Sequence, residues 1–180
     1  MSKKSVFNPG KNRPLIQLLS EGRPRTKIQA ITGLSVFVIS VVIVQTLDII
    51  FTPSAYYDSL NKAPYAPPSY AFSPIWTFIW ICTGAAAYFA WSKAGFQKAG
   101  YALAFWYLHL FGNVAWTVIF FKLQNLELAT FWIAVLQGIV IVSVIGLWQV
   151  RPLAGAFMTP LLGWLIFATI VTADISRFNS

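Results

Sequence analysis

The chain has 180 residues, of which 57% are hydrophobic and only 10% charged, and its mean hydropathy is +0.65. Soluble domains average roughly a quarter charged residues, so this composition excludes an ordinary soluble enzyme and indicates an integral membrane protein. The net charge of +8 does not point to nucleic acid, because seven of the thirteen basic residues fall within the first 27 positions and no basic helix or aromatic-basic patch follows.

That basic tail, residues 1–27, holds Lys3, Lys4, Lys11, Arg13, Arg23, Arg25 and Lys27 against the single acid Glu21. Pro9, Pro14 and Pro24 break any long helix in it. It reads as a solvated segment that orients the protein and meets anionic lipid, with residues 15–19 as a short amphipathic turn. The apolar run that follows is longer than the 7–15 residues of a secretory leader. Residues 28–180 are read as one transmembrane domain.

The first span covers 28–51, close to the ~20 residues that cross a hydrocarbon core. Gln45 and Asp48 lie three apart near its far end, on one face. A carboxylate inside an apolar span is a functional candidate, weighed against a position at the interface. Residues 52–73 follow as a loop in which Pro64, Pro67 and Pro68, with Pro74 beyond, forbid a continuous helix. Tyr65, Tyr70 and Phe72 stand between these prolines and seek burial, so the loop is expected to be an ordered lid. Pro74 fits the first position of the next helix, where its missing N–H costs nothing.

The second span is 74–91, and a polar break at 92–100 carries Lys93 and Lys98. The third span is 101–121, the fourth 128–148 and the fifth 153–175, separated by short turns that make neighbouring helices antiparallel. The expected architecture is an all-α integral membrane protein: a bundle of five transmembrane helices with a lid between the first two. Ten Lys and Arg fall on the side of the N-terminus and three on the other, which places the N-terminus in the cytoplasm and the lid opposite.

His109 and Asn113 are four residues apart on one face of the third span, bordered by Phe105, Trp116 and Phe120. Lipid offers such side chains no partner, so they face the bundle interior. Three readings stand open: an interhelical hydrogen bond that positions helices, the polar part of a ligand pocket, and axial ligation of a haem iron by His109. Trp91 and Trp148 end spans and fit an interfacial belt. Trp76, Trp80, Trp116 and Trp164 lie inside spans, as core or as flat walls for a flat apolar ligand. Small residues mark close helix approach at 84–87 and at Gly155, Thr159 and Gly163, and Ala104, Leu108, Gly112 and Ala115 form a candidate homodimer seam. With one cysteine, Cys82, and no catalytic triad, carboxylate pair, phosphate loop or metal-ligand cluster, the residues make no positive case for an enzyme or a metal site.

Three stretches carry a family resemblance: Tyr56-Tyr57-Asp58-Ser59-Leu60-Asn61-Lys62-Ala63-Pro64-Tyr65-Ala66-Pro67-Pro68 with Phe72, Pro74, Trp76 and Thr77; Asn113 with Trp116, Phe120 and Phe121; and Pro160 with Trp164, Phe167 and Ala168, closed by Arg177-Phe178-Asn179. In this order they resemble the TspO/MBR family, the translocator and tryptophan-rich sensory proteins once called peripheral benzodiazepine receptors. The resemblance covers about residues 30–179 and implies five spans under a lid-like first loop.

The resemblance also implies a pocket for tetrapyrroles such as protoporphyrin IX or haem, with sterols, isoquinoline-type drugs and light-dependent porphyrin degradation known in some members. Trp76 and Trp164 correspond to the family's pocket aromatics. The expected site is Trp76, Trp80, His109, Asn113, Trp116, Trp164, Phe120, Ala168, Tyr57 and Tyr65, with propionate contact near Lys62 or another rim residue. The sequence departs from the family where Tyr56, Tyr65 and Tyr70 replace Trp, where His109 stands for a common Gln, and at Pro160-Leu161 and Val171-Thr172. The segment 171–177 lacks the Tyr of the sterol pattern, so sterol binding is not carried over. The expected function is a receptor or carrier for a planar tetrapyrrole, with no required cofactor, lipid as solvent, a homodimer as assembly and no nucleic-acid partner. The alternatives are a light- or haem-dependent porphyrin-degrading enzyme and a lipid-, sterol- or partner-binding scaffold.

Overall fold

The computed structural model describes residues 16, 17 and 26–179. The basic tail and its amphipathic turn therefore lie almost wholly outside the described residues. The regular elements from residue 27 onward are all helical: α1 Lys27–Phe51, a short α2 Ser54–Ser59, the long α3 Ser69–Thr117 continued by a π-helical turn Val118–Lys122, α4 Leu126–Val150 and α5 Pro152–Asn179. Four of the helical stretches, Lys27–Phe51, Ser69–Lys122, Leu126–Val150 and Pro152–Asn179, are long and apolar enough to cross a membrane.

Each start has a local cause. The Thr26 hydroxyl accepts from the Gln29 N–H at 3.2 Å and caps α1. Asn125 Oδ1 accepts from the Leu128 N–H at 2.9 Å and caps α4, with Glu127 in the first turn where a negative charge suits the helix dipole. Arg151 leaves α4 in extended geometry, and Pro152 opens α5 as its first residue.

α3 differs from the expected pair of spans in two ways. It begins at Ser69 rather than at Pro74, so Pro74 lies inside the helix and Pro68 precedes it with an extended backbone. The second difference is the expected polar break at 92–100, which contracts to a single residue: helix runs through Lys93 and Lys98, and only Gly95 leaves helical geometry, at φ 62 and ψ −179. That backbone lies in the left-handed region where a residue without Cβ is at home. Gly95 folds the element back on itself. Trp106 Nε1 donates to the Thr83 carbonyl at 2.9 Å, yet residues 23 apart in a straight helix would be about 34 Å away. The polar character of 92–100 marks a solvent-side corner, not an unwound one.

The bundle core joins α1, both arms of α3, α4 and α5. Trp91, expected at an interface, is instead wholly buried, its six-membered ring against Gly33 of α1 and 6.2 Å from the Phe37 ring. A Cβ on Gly33 would sit 2.0 Å from Trp91 Cζ3, so this glycine is the notch that admits the indole. The candidate dimer stripe divides as well. Gly112 packs towards Leu136 of α4, Ala104 and Leu108 are exposed, and Ala115 is half-buried. Gly155 likewise lies against Trp148, whereas Thr159 and Gly163 are exposed.

Candidate functional site

At the end of the bundle away from Gly95, side chains from every helical element surround a cavity of about 370 Å³. α1 contributes Gln45, Asp48 and Ile49, and its C-cap Thr52. The loop contributes Tyr57 and Pro67, and the first arm of α3 Phe72, Trp76 and Trp80. Its second arm supplies Asn113, Trp116 and Thr117, followed by Phe120 and Phe121. α5 closes the far side with Trp164, Phe167, Ala168 and Thr172 among others.

The aromatic wall is continuous. Trp76 stacks on Trp80 with centroids 5.4 Å apart and meets Trp164 edge-on at 6.1 Å. Phe72 bridges Trp164, at 5.9 Å, to Tyr57, at 5.0 Å. On α3, Trp116 stacks on Phe120 at 5.1 Å. The π-helical turn brings the consecutive residues Phe120 and Phe121 both to buried positions on the cavity wall.

Of the residues that the sequence and the resemblance single out, Tyr57, Trp76, Trp80, Asn113, Trp116, Phe120, Trp164 and Ala168 line this cavity. His109 and Tyr65 do not. The His109 ring is 1% exposed, stacked under Trp80 at 6.4 Å and flanked by Trp106 at 5.8 Å, and neither of its nitrogens has a well-formed hydrogen bond. Tyr65 is half exposed on the outside of the loop, where its hydroxyl donates to the Asp174 carboxylate. That contact with Asp174 raises the phenol above its ordinary value.

Asn113 does not form a polar floor with His109. Its Nδ2 donates to Asp48 Oδ2 at 2.8 Å, and the Thr117 hydroxyl donates to Asp48 Oδ1 at 2.9 Å. Asp48 is thus the centre of the cavity's polar cluster, held by partners 65 and 69 residues away. The available signal was a lone acid in an otherwise apolar span, together with Asn113 and Thr117 at i, i+4 on a facing helix.

The loop is tied down at several points. The Tyr57 hydroxyl donates to the Pro67 carbonyl at 2.8 Å and closes the loop on itself. Burial, then the neighbouring Asp58, pushes this phenol up to about 12. Asn61 and Asn179 exchange two hydrogen bonds, at 3.0 and 2.9 Å, clasping the loop to the end of α5. Lys62 does not reach out as a free cation. Its ammonium donates to the carbonyls of Tyr57, Leu60 and Asp58 at 2.6, 2.7 and 3.2 Å and covers the Tyr57 ring at 4.8 Å. All three of its donors are engaged at the end of α2, so it serves as a helix cap rather than as the expected propionate contact.

Residues 35–178 match the TspO/MBR family. Similar curated proteins include protein CrtK of Rhodobacter capsulatus, 30% identical over 131 residues, which is 72% of this chain and 82% of the relative. The translocator protein of Homo sapiens is 29% identical over 126 residues, 69% of this chain and 75% of the relative. The tryptophan-rich sensory protein of Cereibacter sphaeroides is 29% identical over 134 residues, covering 74% and 83%.

Proposed function

Because the chain belongs to the TspO/MBR family, we propose that it is a membrane receptor or carrier for a planar tetrapyrrole, held in the cavity beneath the loop of residues 52–68. The observation that carries this reading is the aromatic wall of Trp76, Trp80 and Trp164 around a cavity of about 370 Å³. Flat indole faces suit a flat apolar ligand. This volume is near the lower end of the roughly 300–1,000 Å³ common for ligand sites, so a macrocycle enters with the loop displaced. In this reading the loop is the gate and its clasp to α5 the latch. Propionates stay at the mouth, since among the described residues lining the cavity none is basic.

The chain crosses the membrane five times in this account. The two arms of Ser69–Lys122 on either side of Gly95 each have about 26 residues or about 39 Å of helix, enough for a core of about 30 Å. The N-terminus lies on the cytoplasmic side and the loop on the other.

Titration of the purified protein with protoporphyrin IX and with haem tests the reading through porphyrin fluorescence and the Soret band. Both ligands are expected to saturate with similar affinity, because Trp80 covers His109. Replacing Trp76 and Trp164 together by Ala is expected to weaken binding about tenfold or more while the helices stay folded. Unchanged affinity in the double variant would remove the cavity as the site.

A further inference from the structure

We propose that Asp48 makes the cavity selective for ligands with a cationic or N–H donor head, which docks against α1 while the flat body rests on the tryptophans. This rests on the cavity being the ligand site, but not on the ligand being a tetrapyrrole.

A carboxylate offers about four lone-pair positions. Asn113 Nδ2 and Thr117 Oγ1 take one on each oxygen. The Thr117 oxygen also lies 3.2 Å from the Asn113 carbonyl, but its single proton serves the shorter contact, to Asp48. Two neutral donors orient the carboxylate and leave acceptor capacity on both oxygens, on a residue that forms part of the cavity wall. Among the described residues lining the cavity none is Lys, Arg or His, so the protein supplies no countercharge there. Coulomb attraction is strong where water is scarce, and a carboxylate in an apolar site calls for a cation or a further donor. The ligand is the component left to bring one.

The surroundings fit the same orientation. Gln45, one turn before Asp48, and Thr52, at the C-cap of α1, also line the cavity; the Thr52 hydroxyl donates to the Asp48 carbonyl at 2.6 Å, so its oxygen and the Gln45 amide oxygen are acceptors for an N–H head group. The remaining wall is aromatic and aliphatic and suits a body without charge. Anionic groups are disfavoured at the Asp48 end by like charge, which sets the polarity with which any ligand enters.

The test uses three probes with one flat body and different heads: 1-pyrenemethylamine, 1-methylpyrene and 1-pyrenecarboxylate. Energy transfer from tryptophan to pyrene reports binding to the full chain in a neutral maltoside detergent. The wild-type protein is expected to bind the ammonium probe about tenfold tighter than the carboxylate, the scale of one charge-assisted hydrogen bond. The isosteric Asp48→Asn variant is expected to reduce that preference to within about twofold and leave 1-methylpyrene unchanged. A preference that persists in Asp48→Asn overturns the proposal. A wild-type ratio near or below one overturns it without any variant. Absence of saturable binding by all three probes contradicts the cavity as a ligand site and the selectivity with it. Failure of protoporphyrin IX alone removes the tetrapyrrole and leaves the role of Asp48 standing.

Discussion

The two ends of the bundle use the same aromatic side chains to opposite effect. Towards Gly95, Phe37, Trp91 and Trp106 are completely buried and interlock, with Trp106 edge-on to Phe37 at 5.7 Å. Towards the loop, Trp76, Trp116 and Trp164 are only partly covered and surround a hollow. The difference lies in what faces the rings. At the packed end small residues yield to them: Gly33 admits Trp91, and Ala86, Ala87 and Ala90 have no exposed surface. At the hollow end the facing groups are Asp48, Asn113 and Thr117, which hold one another by hydrogen bonds and cannot collapse onto an indole. A proline-rich loop, fixed in shape by its own prolines and by the Tyr57–Pro67 bond, spans the opening. Aromatic content alone therefore does not open a cavity; an aromatic wall opposite an immobilised polar cluster does.

The largest loss of stability is expected at the packed end. Trp106→Ala removes a fully buried ring and the hydrogen bond to the Thr83 carbonyl that fastens the two arms of α3 together. A loss of about 3–5 kcal/mol is expected, read as a large fall in melting temperature in detergent. Ligand affinity of the fraction that remains folded should change little.

At the loop end the expected effects are smaller and fall on binding. Asn179→Ala deletes the clasp to both polar atoms of the Asn61 backbone. The bonds are exposed, so stability should fall by about 1 kcal/mol or less. Amide exchange across residues 60–68 should quicken, and ligand dissociation should rise several-fold.

The Tyr57 phenol gives the loop a dependence on pH. Its proton is held more tightly in the folded loop, up to about 12 against an ordinary 10.0. The unfolded loop therefore loses the proton first as pH rises. The stabilisation from Tyr57 is complete below pH 10 and is lost on the way to pH 12. Exchange protection of the loop should fall through that window in the wild type and fall less in Tyr57→Phe, where Tyr65 on Asp174 supplies the remaining dependence.

Much of this was legible in the chain because run length and helical spacing are local properties. Long apolar helices are what the composition implies, and Trp80, Thr83 and Ala87, at helical spacing, share a buried face. Features set by partners distant in sequence were not legible. Trp91 looks like a belt residue until Gly33, 58 positions earlier, is seen to make room for its ring. Asp48 looks like an interfacial acid until Asn113 and Thr117 are seen to claim it. Lys93 and Lys98 suggest an unwound connection, because composition reports solvent exposure and not backbone geometry; one glycine was sufficient for the turn. His109, the most conspicuous polar residue of its span, lies beneath Trp80, since i, i+4 spacing from Asn113 fixes a helix face but not the depth of a neighbouring ring.

The most direct test of the contrast between the ends is to fill the hollow one. Ala168 lines the cavity on α5 next to Phe167 and Trp164. Ala168→Trp is expected to abolish saturable protoporphyrin IX binding while the melting temperature stays the same or rises, because the new ring occupies space that the fold leaves open. Binding with unchanged affinity in a folded Ala168→Trp protein would contradict it and place the ligand elsewhere.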